Sequence, residues 1–234
     1  MGKFSMRDDI KLKETSLGGG SYLWDSNVYT TTVDMAYFDQ SQGGAHSLNL
    51  TLLNDEGKKL KQTIWFTNRK EEVHYVNQKG EKDYLPGYNL ANNLSLIITG
   101  EDVNEAFDKS EKKMVNVYDF NARKDMPTEK SVATTLLGKQ IKVAILKQTV
   151  NKRVNDGTGK YVESAETKDE NDIKEFYFAD SDLTVVEKSK DATEALMMPK
   201  WAERNAGKTL NRVKDVASGT TATAAKPAGK KLFN

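Results

Sequence analysis

The 234-residue chain carries 35 Lys+Arg against 34 Asp+Glu, a formal charge of +1, and no cysteine. The length suits one large domain with appendages, and the missing cysteine excludes a disulfide scaffold and any Cys-ligated zinc or iron–sulfur site. The apolar share, about 40% with glycine counted and tyrosine left out, is below the roughly 45–50% of an average globular chain, so part of the sequence is expected outside a packed core.

Residues 1–21 mix charges, end near Gly18-Gly19-Gly20 and read as a flexible N-terminal arm. A strand is predicted from Tyr22 to Asp39, with Tyr29, Thr31, Val33, Met35 and Tyr37 on the inward face of a period-2 pattern. Strand two, His46 to Leu53, sets Leu48, Leu50 and Leu52 against Ser47, Asn49 and Thr51. Asn54-Asp-Glu-Gly57 supplies turn chemistry, and strand three, Lys59 to Thr67, returns with Leu60, Ile64 and Phe66 inward. A further hairpin is predicted from Val73 to Tyr84 around Asn77-Gln-Lys-Gly80, closed by Leu85-Pro86-Gly87. Leu90, Leu94 and Ile97 or Ile98 then stand at helical spacing in a short helix that Gly100 ends.

Residues from Glu101 to Glu129 read as a charged helix-and-loop insertion outside the core, anchored by Val115, Val117 and Tyr118. Ile141, Val143 and Ile145 alternate on a long fourth strand from near Gly138 toward Arg153. After the turn Asn155-Asp-Gly-Thr-Gly159, Tyr161-Val162 resume the sheet. Ile173 to Phe178 form a last strand, with Phe176 and Phe178 inward and Tyr177 outward, and Glu163 to Asp172 read as a charged excursion. From Trp201 a polar helix is predicted to about Asp215, within a C-terminal helical segment at 191–216. The end, 217–234, reads as a disordered basic tail. Five antiparallel strands with a helix between the third and fourth match the layout of an OB-fold, a partly open Greek-key barrel. The chain is therefore expected to be mainly β, an OB-fold-like barrel over 22–190 with an insertion at about 101–130. Other small barrels and sandwiches share parts of this pattern.

No stretch approaches the roughly 18 apolar residues of a membrane span, and the N-terminus shows no signal-peptide run, so a soluble cytoplasmic protein without membrane partners is expected. Two histidines, His46 and His74, exclude a His-rich metal site. Ala202 to Thr209 ends in Gly-Lys-Thr like a phosphate-binding loop, but Pro199 interrupts the segment where the buried strand should stand, and Ala202 replaces the first glycine. The acids between Glu163 and Asp172 read as a solvated face, and Asp180-Ser181-Asp182 lacks the other oxygen ligands of a calcium loop. No catalytic residues, metal or cofactor are expected, and the chain reads as non-enzymatic.

Basic and aromatic residues are more informative. Lys58 to Lys70 holds five cations and no acid, and Lys139 to Lys160 holds six against Asp156 alone, whereas Glu163 to Glu194 holds eleven acids and four lysines. Inward Leu60, Ile64 and Phe66 force Trp65 outward beside Lys61, a pairing suited to base stacking with phosphate contact. The same alternation predicts Phe38 and Tyr177 outward, while Tyr75 and Tyr161 flank turns. The predicted single-strand-binding set is Phe38, Trp65, Tyr75, Tyr161 and Tyr177 for stacking, with Lys61, Arg69, Lys142, Lys147, Lys152 and Arg153 on phosphates. The choice between DNA and RNA depends on local contacts to the 2′-hydroxyl and stays open. So does a second reading, a protein-interaction or virion structural barrel that binds no nucleic acid.

Several segments carry a resemblance: Val28-Tyr-Thr, Trp65-Phe-Thr-Asn68, Tyr84-Leu-Pro-Gly-Tyr-Asn-Leu-Ala-Asn92, Leu137-Gly-Lys-Gln-Ile-Lys-Val143, Asn151-Lys152, and Glu170-Asn-Asp-Ile-Lys-Glu-Phe176. Over roughly 22–215 the chain resembles the single-stranded DNA-binding proteins of tailed bacteriophages. The resemblance implies an OB-fold that coats single strands during phage DNA replication, recombination and repair in the bacterial host cytoplasm. It implies no sequence readout, no cofactor, and partners among replication and recombination proteins. One departure stands out. Many such proteins end in an acidic tail with a terminal aromatic, whereas this chain ends Gly229-Lys-Lys-Leu-Phe-Asn234, a basic end expected to favour phosphate contact instead.

Overall fold

The computed structural model describes residues 23–119 and 122–216, so the predicted arm through residue 21 and the predicted tail at 217–234 lie outside the described residues. Strands β1 (Asn27–Gln40), β2 (His46–Asn54) and β3 (Lys59–Trp65) form an antiparallel meander. At the β2–β3 turn, Asn54 Oδ1 accepts from the backbone N–H groups of Glu56 and Lys58. The short strands β4 (His74–Val76) and β5 (Lys82–Tyr84) pair only with each other.

The alternation predicted for β1 breaks midway. Val33 pairs with Leu52 and Met35 with Thr51, so Asp34 is an extra residue, a β-bulge. Thr31 and Val33 face inward before it; after it Ala36 and Phe38 do, and Met35 and Tyr37 turn to the other face. Phe38 is thus not outward. It is 3% exposed, with the rings of Phe66 and Phe107 packed edge-on at 5.9 and 5.1 Å.

Helix α1 (Pro86–Thr99) fits its prediction: proline stands in its first turn, and Gly100 closes it at φ 77°, donating to Leu96 O. Its N-terminus sits directly on β3. A Cβ on Gly87 would lie 1.9 Å from the Trp65 carbonyl oxygen. Alanine normally improves a helix by about 1 kcal/mol over glycine. Here the backbone clash outweighs that gain, and Gly87→Ala is expected to cost about 1–3 kcal/mol, a fall of roughly 3–10 °C in melting temperature by calorimetry.

The expected helix-and-loop insertion is instead a short helix and a two-stranded arm. Asp102 caps α2 (Val103–Asp108), and β6 (Glu111–Asp119) pairs along its whole length with β7 (Lys124–Val132). β7 meets β1 at two positions, Tyr37–Val132 and Phe38–Ser131. Much of the arm stands away from the core, which accounts for its polar composition.

β8 (Gln140–Asn155) joins β1, and β9 (Tyr161–Tyr177) pairs with β8 as one unbroken strand. The charged stretch Glu163 to Asp172 is therefore ladder, not an excursion, because β8 runs past β1 and the ribbon there has polar faces. Tyr177 is not outward either. It is 1% exposed, and burial followed by the carboxylates of Glu175 and Glu187 raises its phenol well above the ordinary value. After β9 the chain folds back, with Phe178 N–H donating to Leu183 O, and leads into α3 (Val185–Ser189). Phe178 is half-buried, with the Lys188 ammonium 5.4 Å from its ring.

The predicted polar helix to about Asp215 is shorter and earlier, α4 (Met197–Asn205); β10 (Thr209–Asn211) then runs parallel to β8. Strand order is β3-β2-β1-β8-β9, with β7 and β10 added at the edges of β1 and β8; among the described residues no ladder joins β3 to β9. The core is shared by Val33, Ala36, Leu48, Leu50, Ile141 and Phe176 from the strands and Leu94 from α1. Among the described residues no helix is long and apolar enough to cross a membrane.

Glu175 is a poorly solvated carboxylate. Burial raises its pKa above 4.5, against opposing hydrogen bonds from Phe176 N–H and Asn93 Nδ2. A raised folded pKa means that the native state binds the proton more tightly, so this group's contribution to stability falls as pH climbs from the unfolded value through the folded one. Glu175→Gln keeps an oxygen for both donors. It is expected to raise the melting temperature at pH 7 and to leave it unchanged near pH 4, checked by thermal denaturation at the two pH values.

Candidate nucleic-acid interface

The register of the meander builds a polar face opposite the core. Trp65 stands across from Ser47, which faces Asp39. Thr63 faces Asn49 and then Tyr37, and Lys61 faces Thr51 and then Met35. Thr63 Oγ1 donates to Asn49 Oδ1 at 2.8 Å, and Asn49 Nδ2 donates to Ser47 Oγ at 3.2 Å, which fixes the middle of this face. Lys59 pairs with the bulge residue Asp34 at 2.8 Å, whereas Lys61 has no ion-pair partner among the described residues. Trp65 keeps 48% of its surface exposed at the end of this row.

The β6–β7 arm closes over this face and leaves a groove of about 760 Å³, with Met35, Tyr37, Lys61 and Thr63 on one side and Met114 and Tyr118 on the other. The arm is pinned at its root by Lys130. Its ammonium lies 2.6 Å from Asp39 Oδ2 and 6.0 Å from the centroid of the Tyr37 ring. Burial, then the Asp39 carboxylate, pushes the Tyr37 phenol up, so it enters the groove neutral. The lining carries Lys59 and Lys61 against Asp34 and Asp125, with Lys59 paired to Asp34, beside hydroxyl, amide and aromatic groups.

Arg69 belongs to the Trp65 end. Its side chain lies against Gly43 in the β1–β2 loop, and a Cβ on Gly43 would touch it at 3.5 Å. Tyr75 is 45% exposed on β4, across from Asp83, in the small hairpin that follows. Nearby, Tyr84 stacks on Tyr88 at 4.9 Å.

The remaining predicted residues stand elsewhere. Lys142 pairs with Asp182, Lys147 with Asp25 at 3.1 Å, and Lys152 with Glu166 at 3.0 Å. Arg153 Nη2 donates to the Tyr161 carbonyl, and Tyr161 is 61% exposed where β9 begins. Asn27 pairs with Ile145, and β8 continues from there away from the Trp65 end, so Lys152, Arg153 and Tyr161 lie at the opposite end of the sheet from Trp65. Phe38 and Tyr177, both buried, cannot offer a ring face to a base.

Four groove residues escaped the sequence reading as site residues, Met35, Tyr37, Met114 and Tyr118, and so did Lys130 at the root of the arm. A signal was present. Met114, Asn116 and Tyr118 alternate with Val115 and Val117, the period of a half-covered strand, and Met126 and Thr128 on β7 stand across from Val117 and Val115. Among the described residues no group of three or more His, Asp or Glu is placed to hold a metal ion.

The sequence matches no protein-family model and no curated protein.

Proposed function

We propose that the chain binds single-stranded DNA without sequence preference, in the groove between the β1–β3 face and the β6–β7 arm. Trp65 carries the proposal: a half-exposed indole at the end of a strand face that also presents Lys61, with a covered groove beside it. A solvent-facing tryptophan costs a protein burial that it could otherwise have, and a stacking platform is the use that fits a lysine on the same strand face. The strand order β3-β2-β1-β8-β9, with α1 between β3 and β8, supports an OB-fold, and the same resemblance supports a role in coating strands during phage replication, recombination and repair. On this reading the protein acts in the bacterial cytoplasm, without cofactor or catalysis, beside replication and recombination proteins.

The working parts are Trp65, Tyr37 and Tyr118 for bases, Lys61 and Arg69 for phosphates, and the arm as a cover. A groove of about 760 Å³ under the arm is expected to favour a single strand over a duplex. Fluorescence polarisation of labelled oligo-dT is expected to show an affinity that falls steeply with salt, each released phosphate counterion adding about 0.7 to the log–log slope, with duplex bound far less tightly. No binding of oligo-dT at low salt, or equal binding of duplex, would refute the proposal. One observation favours a protein-interaction surface instead: Met114 and Tyr118 are 65% and 49% exposed on the arm. In that case the arm mediates salt-insensitive self-association, which sedimentation velocity reports directly.

A further inference from the structure

We propose that the β8–β9 ribbon and the C-terminal strap form a second site that grips a phosphodiester backbone without reading or stacking its bases. It rests on the nucleic-acid reading above and adds to it a contact remote from the groove. A cleft of about 590 Å³ lies between the ribbon and the strap, and its lining includes Lys152, Arg153, Lys168, Arg212 and Lys214. Two carboxylates, Glu163 and Glu170, share that lining, so cations predominate.

The cleft is assembled by distant parts of the chain. β10 runs parallel to β8, and Arg212 N–H donates to Thr149 O at 2.9 Å. The buried Asn151 holds the backbone of Lys214 from both sides: its Nδ2 donates to Lys214 O at 3.1 Å, and Lys214 N–H donates to its Oδ1 at 2.7 Å. These bonds set two strap cations opposite Lys152 and Arg153.

The cations there are available to an anion. Lys214–Glu163, Lys168–Glu170 and Lys152–Glu166 are pairs between solvent-exposed side chains, the class of ion pair that contributes little and is readily exchanged. Arg212 has no carboxylate partner among the described residues, and Arg153 commits Nη2 to a carbonyl, which leaves its other donors free. Guanidinium groups match the paired oxygens of a phosphodiester. The lining holds no aromatic residue, so it offers no ring platform for a base, and its cations are the groups a strand would meet. That feature separates this cleft from the groove and fixes the ligand as backbone.

Position gives the site its consequence. From Asp39, level with Trp65, the path runs along β1 to Asn27, crosses to Ile145 and continues along β8 to Lys152. At about 3.3 Å per residue this is on the order of 60 Å of strand path. One protomer can therefore hold two separate segments, bases in the groove and bare backbone on the ribbon.

The test uses an abasic oligodeoxyribose phosphate, which offers charge but nothing to stack, in low-salt fluorescence polarisation with the full chain. Wild type should bind it, Arg153→Ala/Arg212→Ala should weaken binding at least about tenfold, and Trp65→Ala should leave it unchanged. Circular dichroism checks that the double variant is folded; both side chains are exposed. Lys152→Ala/Lys168→Ala serves as a second variant should the first unfold, with the same weakening expected. Failure of wild type to bind the abasic strand, or binding indifferent to both double variants, overturns the second site. Oligo-dT titrated in parallel keeps the two readings apart: dT binding lost in Trp65→Ala with no abasic binding leaves the groove standing alone, and the converse leaves the ribbon.

Discussion

Trp65→Ala is expected to lower the affinity for oligo-dT by roughly tenfold to a hundredfold at low salt while the protein stays folded. The magnitude follows from stacking, which contributes about 1–3 kcal/mol per base, with each 1.4 kcal/mol worth a factor of ten in binding. The folded state should tolerate the change. The indole lies on the outer face, half exposed, and the β3 backbone against which Gly87 packs is unaltered by a side-chain truncation. A substitution at such a position costs a few tenths of a kcal/mol to about 1 kcal/mol. Lys61→Ala, four residues before it on the same face, should weaken binding more modestly and flatten the salt dependence, because on the proposed reading it removes a phosphate contact and no stacking surface. An affinity loss in Trp65→Ala matched by an equal loss of melting temperature would point to a structural tryptophan. Unchanged affinity with the fold intact would remove the indole from the interface.

Much of this arrangement is legible in the sequence because period-2 alternation is strong where one face of a strand is buried. Leu48, Leu50 and Leu52 on β2 and Leu60 and Ile64 on β3 place Trp65 and Lys61 outward, as expected. The alternation fails where the ladder slips. The Asp34 bulge reverses β1 from Met35 onward, and between Ile173 and Glu175 β9 carries the extra residue Lys174, after which both Phe176 and Tyr177 are buried. A bulge changes which face a residue takes without changing composition, so no pattern of residue types announces it.

The charge balance shows a second way in which sequence distance misleads. The cationic run in β8 and the acidic run in β9 look segregated along the chain, yet they are neighbouring strands: Arg153 stands across from Glu163, and Lys152 bonds Glu166. Part of the balance of 35 against 34 is thus local and cross-strand pairing, and cationic surface is offered where partners are missing or loosely held. Lys61 at the groove and Arg212 at the ribbon are such places.

Phe38→Ala is expected to destabilise the protein by about 3–5 kcal/mol, the cost of an aromatic cavity in a well-packed core. Edge-on contacts with Phe66 and Phe107 put it toward the upper part of that range, since each aromatic pair adds about 0.5–1.5 kcal/mol beyond area burial. Phe38 also stands across from Ser131, one of the two positions where the arm is stitched to β1. Loosening there should reach the cover of the groove, so amide exchange in β7 near Ser131 and Val132 is expected to accelerate more than in β2. Urea denaturation measures the first effect and hydrogen exchange the second. Phe38→Leu, which refills most of the volume, should recover more than half of the loss and bind oligo-dT as wild type does. A stacking residue behaves in the opposite way: Phe38→Ala would then keep its denaturation midpoint and lose affinity, and Phe38→Leu would fail to restore it. The bulge at Asp34 decides between the two, because it alone turns this ring from the solvent side of β1 into the core.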